Sequence, residues 1–346
     1  MSHFTVLVVT NSGTRGEIEE KLQPYHEYEC TGVKDKYVVF VDAEESREEL
    51  MKEWEEENKE DYSTFEQFVE EYYGYEFIDG KIGRMTNPNA KWDWWQIGGR
   101  CSGMLMLKDE YFEALRHLSE LEARNKPIPD SLRENVNGIA VGKKSWINAN
   151  KEIEQFMVDS ARKDQIDFVG MQAREEKSAR EEYKTFKEIV AGRELLSFEQ
   201  CKEFYNVDQW LAQTEENALE NIEGTIAASI GEEGDCKNLA TVDVRSPIDK
   251  ARDKYNGQEV VKDLKKYGPF FHESLFIEGE EQYVNHCRNS AVSTFAVLYD
   301  GQWIQKGDMG WWACVSNEDE NWGENYSDLL DKIPEDKFLT VVDCHI

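Results

Sequence analysis

The segment from Asn87 to Gly103, which reads NPNAKWDWWQIGGRCSG, has the densest set of residues that could do chemistry. It combines three indoles, a carboxylate, an amide, a glycine pair and a guanidinium: Trp92, Trp94, Trp95, Asp93, Gln96, Gly98, Gly99 and Arg100. Indoles stack on a base or a cation, arginine presents a planar fork of donors to phosphate or carboxylate, and glycine lets a ligand approach the backbone. The pattern predicts a site for a flat, anionic ligand of nucleotide type.

The same segment also has a purely structural interpretation. Trp92 and Trp94 would face one side of a strand as core while Trp95 faces the other, and Asp93 would form an ion pair with Arg100. Both interpretations stay open at this stage, because aromatic clusters form cores as often as pockets. The segment has neither G-x-G-x-x-G nor G-x-x-x-x-G-K-[ST], so Rossmann and P-loop sites are excluded and no cofactor is expected.

A second aromatic segment, Gly307 to Trp312 (GDMGWW), repeats the mixture of glycine, acid and paired tryptophan. We expect it to form the opposite wall of the same site. Trp311 or Trp312 would then meet the first segment, and Asp308 would join Asp93 near Arg100. In the alternative, one tryptophan of the pair packs in the core and the other lies at its rim.

Two histidines have a carboxylate close in sequence, His26 in PYHEYEC and His345 in DCHI. Together with Asp93 they are the candidates for acid–base catalysis, and the nearby Cys30 or Cys344 would add a nucleophile or a metal ligand. No H-E-x-x-H or other paired ligand spacing is present, so no metal site is predicted. A lone histidine is more often a structural residue.

Charge and cysteine usage narrow the classes of function. With 71 acidic and 40 basic residues, the net charge of -31 repels nucleic-acid phosphates and anionic membranes, although it suits a DNA mimic or a highly solvated surface. Seven cysteines without a C-x-x-C pair indicate free thiols in a reducing cytosol. No export signal or apolar run of membrane-spanning length is found in the sequence.

The pattern of elements predicts an α+β fold, with a mixed or antiparallel sheet formed by strands from both chain ends. His3–Thr10 and Phe338–Val342 are apolar runs typical of buried strands, and chain ends tend to lie close together. Amphipathic acidic helices are expected between Ala43 and Glu76. We expect an α/β part over 1–150, a helical insertion or second domain over 151–268, and a hairpin, helix and strand over 269–346 that complete the sheet.

The two aromatic segments, with the chain ends SHFTVLV and VVDCHI and the stretch PYHE, resemble a family of uncharacterised proteins encoded by tailed bacteriophages and prophages. The resemblance implies a phage origin and action in the cytoplasm of the host, and it supplies no established activity. Cys101 departs from the family pattern, in which an aromatic residue is expected. A phage accessory protein of this composition suits counter-defence.

Three functions therefore remain as hypotheses. The first is an immune-evasion protein that sequesters a nucleotide-type signalling molecule on Trp94, Trp95 or Trp312 with Arg100. The second is an acidic DNA mimic, or another protein-binding inhibitor, whose helices dock on a basic host defence protein. The third is a nucleotide-modifying hydrolase or transferase. The expected partner is a small molecule or a defence protein, with no direct nucleic acid and no membrane, and the oligomeric state is left open.

Overall fold

The computed structural model describes residues 2–28, 35–142, 146–147, 153–155, 157–210, 246–267, 276, 279–310 and 314–346. The chain forms two compact units. One unit combines residues 1–172 with residues 289–346, and the other comprises residues 173–288.

The strands, in chain order, are β1 (His3–Thr10), β2 (Val39–Asp42), β3 (Glu76–Ile78), β4 (Lys81–Thr86), β5 (Trp94–Ile97), β6 (Leu105–Met106), β7 (Ala140–Val141), β8 (Trp146–Ile147), β9 (Ile153–Gln155), β10 (Met157–Arg162), β11 (Ala296–Tyr299), β12 (Gln302–Gln305), β13 (Asp308–Met309), β14 (Val315–Ser316) and β15 (Phe338–His345).

The α-helices are α1 (Arg15–Leu22), α2 (Arg47–Glu53), α3 (Phe65–Glu71), α4 (Asp109–Ala123), α5 (Asp130–Val136), α6 (Phe168–Val190), α7 (Phe198–Phe204), α8 (Pro247–Gly257), α9 (Glu259–Tyr267), α10 (Glu280–Ser290) and α11 (Trp322–Lys332). Short 3₁₀ helices span Gln23–Tyr25, Gly99–Cys101 and Lys163–Gln165, and a π-helical turn spans Trp54–Asn58.

The main sheet is built from both ends of the chain, so the fold is α+β with a mixed sheet, as predicted. Its strand order is β12-β11-β1-β15-β10-β6, with β5 also paired to β15 and β7 to β10. β1 pairs with β11 in parallel and with β15 antiparallel over its whole length, from His3 opposite His345 to Thr10 opposite Phe338. The two terminal strands are thus the centre of the sheet.

Side chains of β1 and β15 alternate between two cores, because successive residues of a strand point to opposite faces. Leu7 and Val341 belong to the core that includes residues of α4, α5 and α11, and we call this side of the sheet the α4 face. Val6 and Val342 belong to the core that includes Ile18 and other residues of α1, and we call that side the α1 face. Strands covered on both sides read as continuous apolar runs, as these two do.

Two different strands share the outer edge of β15. β10 pairs with its first half, where Ser160 lies opposite Thr340, and β5 pairs with its second half, where Trp94 lies opposite His345. The chain leaves β5 through Gly98 and Gly99, which both have positive φ. This turn lies where the two short partners of β15 meet, and it positions the residues described below.

The predicted helical middle has different bounds in the structure. The second unit, residues 173–288, contains α7, α8 and α9 with most of α6 and α10, whereas β9 and β10 lie inside the range expected to be helical. β10 is a strand because its buried residues pair with β15 and β6, and tertiary pairing outweighs local helix propensity there.

The acidic segment forms the expected amphipathic helices and has a small core of its own. α2 and α3 bury Leu50, Phe65 and Phe68 in a cluster that also contains Ile82 of β4. β4 is the middle strand of a separate sheet with the order β2-β4-β3. Across the described ranges, no helix is long and apolar enough to cross a membrane.

Leu7→Ala tests the central role of the terminal strands. Leu7 is fully buried on the α4 face, so we expect the substitution to lower the free energy of unfolding by about 2–5 kcal/mol, as for other large-to-small core changes. Val169→Ala is the control, because Val169 is 76% exposed and should change stability by less than about 0.5 kcal/mol. Urea unfolding followed by tryptophan fluorescence measures both, and equal midpoints for the two variants would contradict the prediction.

Candidate functional site

The α4 face changes from apolar to polar where β1 begins and β15 ends. Two rows of side chains cross the strands β1, β15 and β5 at this point, as the strand registers show. The first row is His3, His345 and Trp94, and the second row is Thr5, Asp343 and Gln96. We call these six residues, together with Asp93 and Arg100, the polar end.

A buried carboxylate holds the first histidine of the polar end. Nδ1 of His3 lies 2.9 Å from Oδ1 of Asp343, whose side chain is 2% exposed while that of His3 is 20% exposed. The second oxygen of Asp343 accepts a hydrogen bond of 2.8 Å from the backbone N–H of Arg100. One carboxylate therefore fixes both the imidazole and the loop that carries the arginine.

The second histidine has its own carboxylate. Nδ1 of His345 lies 2.6 Å from Oδ1 of Asp93, and the ring meets the ring of His3 edge to face with centroids 5.1 Å apart. Nε2 of His345 is buried and has no hydrogen-bond partner among the described residues. The expected ion pair between Asp93 and Arg100 is wrong, because Asp93 binds His345 instead.

The glycine pair makes room for the protein's own carboxylates. Gly98 has a φ of 67° and Gly99 a φ of 50°, and a Cβ would collide with the carboxylate of Asp159 at the first position and of Asp343 at the second. The buried Asp159 accepts hydrogen bonds from the hydroxyl of Ser102 and the N–H of Gly103, at 3.0 Å and 2.6 Å. The glycines were predicted to let a ligand approach the backbone. In the structure the space beside them is occupied by the carboxylates of Asp159 and Asp343.

The three tryptophans of the segment have different surroundings. Trp92 is 5% exposed in the core of the α1 face, where its Nε1 donates to the carbonyl of Leu22 at 3.1 Å. It was predicted to line the ligand site, and its burial leaves no surface for that contact. Trp95 also packs against that core, and the guanidinium of Arg15 lies 5.1 Å from its ring centroid. Trp94 is 48% exposed on the α4 face, with its ring edge to face with His3.

This arrangement also corrects the structural interpretation of the segment. Trp92 and Trp94 were expected on one side of a strand, but β5 begins at Trp94 and Trp92 precedes it. Gln96 and Arg100 are exposed. Within the described residues, the guanidinium of Arg100 forms no ion pair, so it can bind an anion.

The second aromatic segment is described in part. Trp311 and Trp312 lie outside the described residues. Asp308 accepts hydrogen bonds from Gln305 and Asn317, and it lines a cleft of about 120 Å³ with Lys91 and Trp303. Because Trp303 packs on the α1 face, Asp308 does not join Asp93, which lies at the polar end of the opposite face.

The other predicted acid–base residue, His26, has a structural role. It is 9% exposed, and its ring packs on Trp92 with centroids 4.6 Å apart. Cys344 is fully buried on the α1 face, and burial, with the charges of Asp343 and Asp93, raises the pKa of its thiol, which is the reverse of an activated nucleophile. Cys30 lies outside the described residues, and the described part of the chain has no group of three side chains that could hold a metal ion.

Sequence reasoning missed His3, Asp343 and Asp159 as site residues. The signal for the first two was present: His3 and Thr5, like Asp343 and His345, are two residues apart in terminal strands that were expected to pair. Alternation along paired strands places such residues on one face. Asp159 gave no comparable signal, because β10 was expected to be helical.

Comparisons of the chain with protein-family models, with curated proteins and with solved structures find no match. The geometry of the polar end therefore carries the functional argument.

Gly98→Ala tests the role of the glycine turn. Gly74 has the same φ of 67° with nothing near its Cβ position, so Gly74→Ala isolates the backbone cost of about 1–2 kcal/mol. Gly98→Ala should lose about 1–3 kcal/mol more, because the new methyl displaces the Asp159 carboxylate from its two donors. Chemical denaturation measures the difference, and equal losses in the two variants would contradict this account.

Thiol labelling tests the burial of Cys344. In the native protein the exposed Cys314 should react with Ellman's reagent before Cys344, because Cys344 is fully buried and the raised pKa of its thiol lowers the thiolate fraction. Peptide mapping by mass spectrometry identifies the labelled residues. Labelling of Cys344 as fast as Cys314 in the folded protein would show that the α1 face is open, contrary to the structure.

Proposed function

We propose that the polar end binds a flat, phosphate-bearing small molecule of nucleotide type, and that the protein acts as an immune-evasion factor of a phage by withdrawing this molecule from host signalling. The observation that supports the proposal is the exposed indole of Trp94 in one row with two imidazoles. Gln96 follows two residues further along β5, about 7 Å away, and Arg100 follows the glycine turn.

The side chains of the polar end suit the parts of a nucleotide. A base stacks on Trp94, a contact that contributes about 1–3 kcal/mol in nucleic-acid complexes. The amide of Gln96 can both donate to and accept from a base or a ribose. The guanidinium of Arg100 offers two parallel donors to a phosphate, and its backbone is already fixed by Asp343.

The net charge of -31 makes Arg100 decisive for an anionic ligand. An anion approaching this protein meets a repulsive field over most of the surface, and the polar end itself contains two carboxylates. Among the described residues, no carboxylate forms an ion pair with the guanidinium of Arg100, so its positive charge remains for the ligand. Its removal should therefore cost more affinity than the loss of a neutral contact.

The role in immune evasion rests on the resemblance to phage-encoded proteins. Such a protein would act in the cytoplasm of the host, where nucleotide-type signalling molecules are made. Sequestration needs a binding site and no further partner, and the polar end supports that reading without the undescribed Trp311 and Trp312.

Isothermal titration calorimetry with 3′,5′-cyclic AMP, cyclic di-AMP, cyclic di-GMP and ADP-ribose tests the proposal. We expect at least one of them to bind, with an affinity that falls about 5- to 150-fold in Trp94→Ala, the range that corresponds to the stacking contribution. Arg100→Ala should weaken binding at least about tenfold, since it removes a charge-assisted contact.

Two variants of the second unit control for general effects of these changes. Phe204→Ala removes an aromatic ring that is 65% exposed, and Arg252→Ala removes an arginine whose side chain is 59% exposed. Neither should alter binding. No heat with any of the four molecules, or unchanged binding in both Trp94→Ala and Arg100→Ala, would overturn the proposal.

A further inference from the structure

We infer that the polar end also hydrolyses a phosphodiester bond of its nucleotide-type ligand, with His3 as the general base. The inference rests on the proposed function for the place where the ligand binds. It goes further because it assigns a reaction, a substrate class and a base to side chains that binding alone does not require.

The environment of His3 is that of an oriented general base. Nδ1 binds the buried Asp343, which fixes the ring and leaves Nε2 for another partner. Among the described residues Nε2 of His3 has no protein partner. The buried side-chain nitrogen without a partner is Nε2 of His345, so Nε2 of His3 is not buried and reaches solvent. The carboxylate also stabilises the imidazolium that forms when Nε2 takes a proton.

The second imidazole is a positioning residue. His345 lies directly opposite His3 across the pair of terminal strands, and its edge-to-face contact limits rotation of the His3 ring. Asp93 holds His345 from the other side at 2.6 Å. Asp93, His345, His3 and Asp343 thus contact one another in this order, through two carboxylate–imidazole hydrogen bonds and one contact between the imidazole rings. Nε2 of His345 is buried without a hydrogen-bond partner among the described residues, and such buried polar atoms are rare in folded proteins.

Sequestration of an anion does not require a carboxylate on each imidazole, although Asp343 also holds the backbone of Arg100. Asp93 and Asp343 repel a phosphate, and each is tied to an imidazole. Carboxylate-bound imidazoles are useful where a proton must move, so acid–base chemistry accounts for both pairs together.

The charge of the polar end selects the substrate class. A phosphodiester carries one negative charge, and Arg100 supplies one positive charge. Phosphate monoesters and anhydrides carry more charge, and in this acidic protein they would meet stronger repulsion. A cyclic nucleotide combines a single-charge phosphodiester with a base that stacks on Trp94.

The reaction balances with water as the only co-reactant. Nε2 of His3 takes a proton from water while the water oxygen forms a bond to phosphorus. The bond between phosphorus and the ester oxygen breaks on the opposite side of the phosphorus, where that oxygen takes a proton from solvent, and Nε2 of His3 returns its proton to solvent. A phosphate monoester and a free hydroxyl result, and His3 is neutral again. Arg100 binds the non-bridging oxygens, whose charge is redistributed in the transition state.

The test incubates the full chain with one of three probes, 3′,5′-cyclic AMP, 2′,3′-cyclic AMP or cyclic di-AMP, in water enriched in ¹⁸O. The protein is in excess over the probe. We expect at least one probe to open to a monoester that carries one ¹⁸O atom, as seen by ³¹P NMR and mass spectrometry. His3→Ala should slow this reaction by about 10²- to 10⁴-fold, the usual contribution of a general base, and change the binding affinity less than threefold. His117→Ala, at an exposed histidine of α4, should leave the rate unchanged.

Two further measurements separate catalysis from a structural role. Added imidazole should restore part of the rate to His3→Ala, which a folding defect would not allow. Asp343→Asn should lower kcat more than it changes KM, and His3→Gln, whose amide can still donate to Asp343, replaces His3→Ala if the latter does not fold.

The outcomes distinguish this inference from the proposed function. A probe that binds in an Arg100-dependent way and is recovered intact would overturn hydrolysis and leave binding and sequestration in place. Hydrolysis that persists in both His3→Ala and His3→Gln would overturn the assignment of the base. If no probe binds and no probe is hydrolysed, both proposals are overturned.

Discussion

The antiparallel pairing of the two terminal strands is the interaction on which the rest of the molecule depends. It holds eight residues of β1 against eight of β15, and it separates the cores on the two sides of the main sheet. It also brings His3 opposite His345 and offers the outer edge of β15 to two short strands. The polar end exists because, on the α4 face, the apolar residues of both strands stop at the same level, after Leu7 towards the start of β1 and after Val341 towards the end of β15.

Buried carboxylates organise the segment that first drew attention by its tryptophans and glycines. Asp343 and Asp159 accept three hydrogen bonds from the chain just after Gly99, and the glycines leave the space that these carboxylates occupy. Most of the unusual composition thus serves to attach β5 and its turn to the sheet. Trp94, Gln96 and Arg100 lie in or just after β5 and remain exposed.

Local patterns predicted the elements well, and they did not predict which residues would share a face. The existence of the terminal strands and of the hairpin of β11 and β12 follows from sequence, because apolar runs and turns are local patterns. Trp92 and His26 were misassigned because their burial depends on contacts with each other and with α1, which no local pattern encodes.

The distance along the chain between the terminal strands has a consequence for synthesis. His3 and Asp343 are 340 residues apart, so β1 leaves the ribosome long before its antiparallel partner. At a translation rate of about 5–20 residues per second, this delay is on the order of tens of seconds. Throughout that time an apolar strand waits with an unpaired edge, which is a state prone to aggregation. The candidate site is therefore among the last parts of the protein to form, and its assembly depends on how well the nascent chain protects β1.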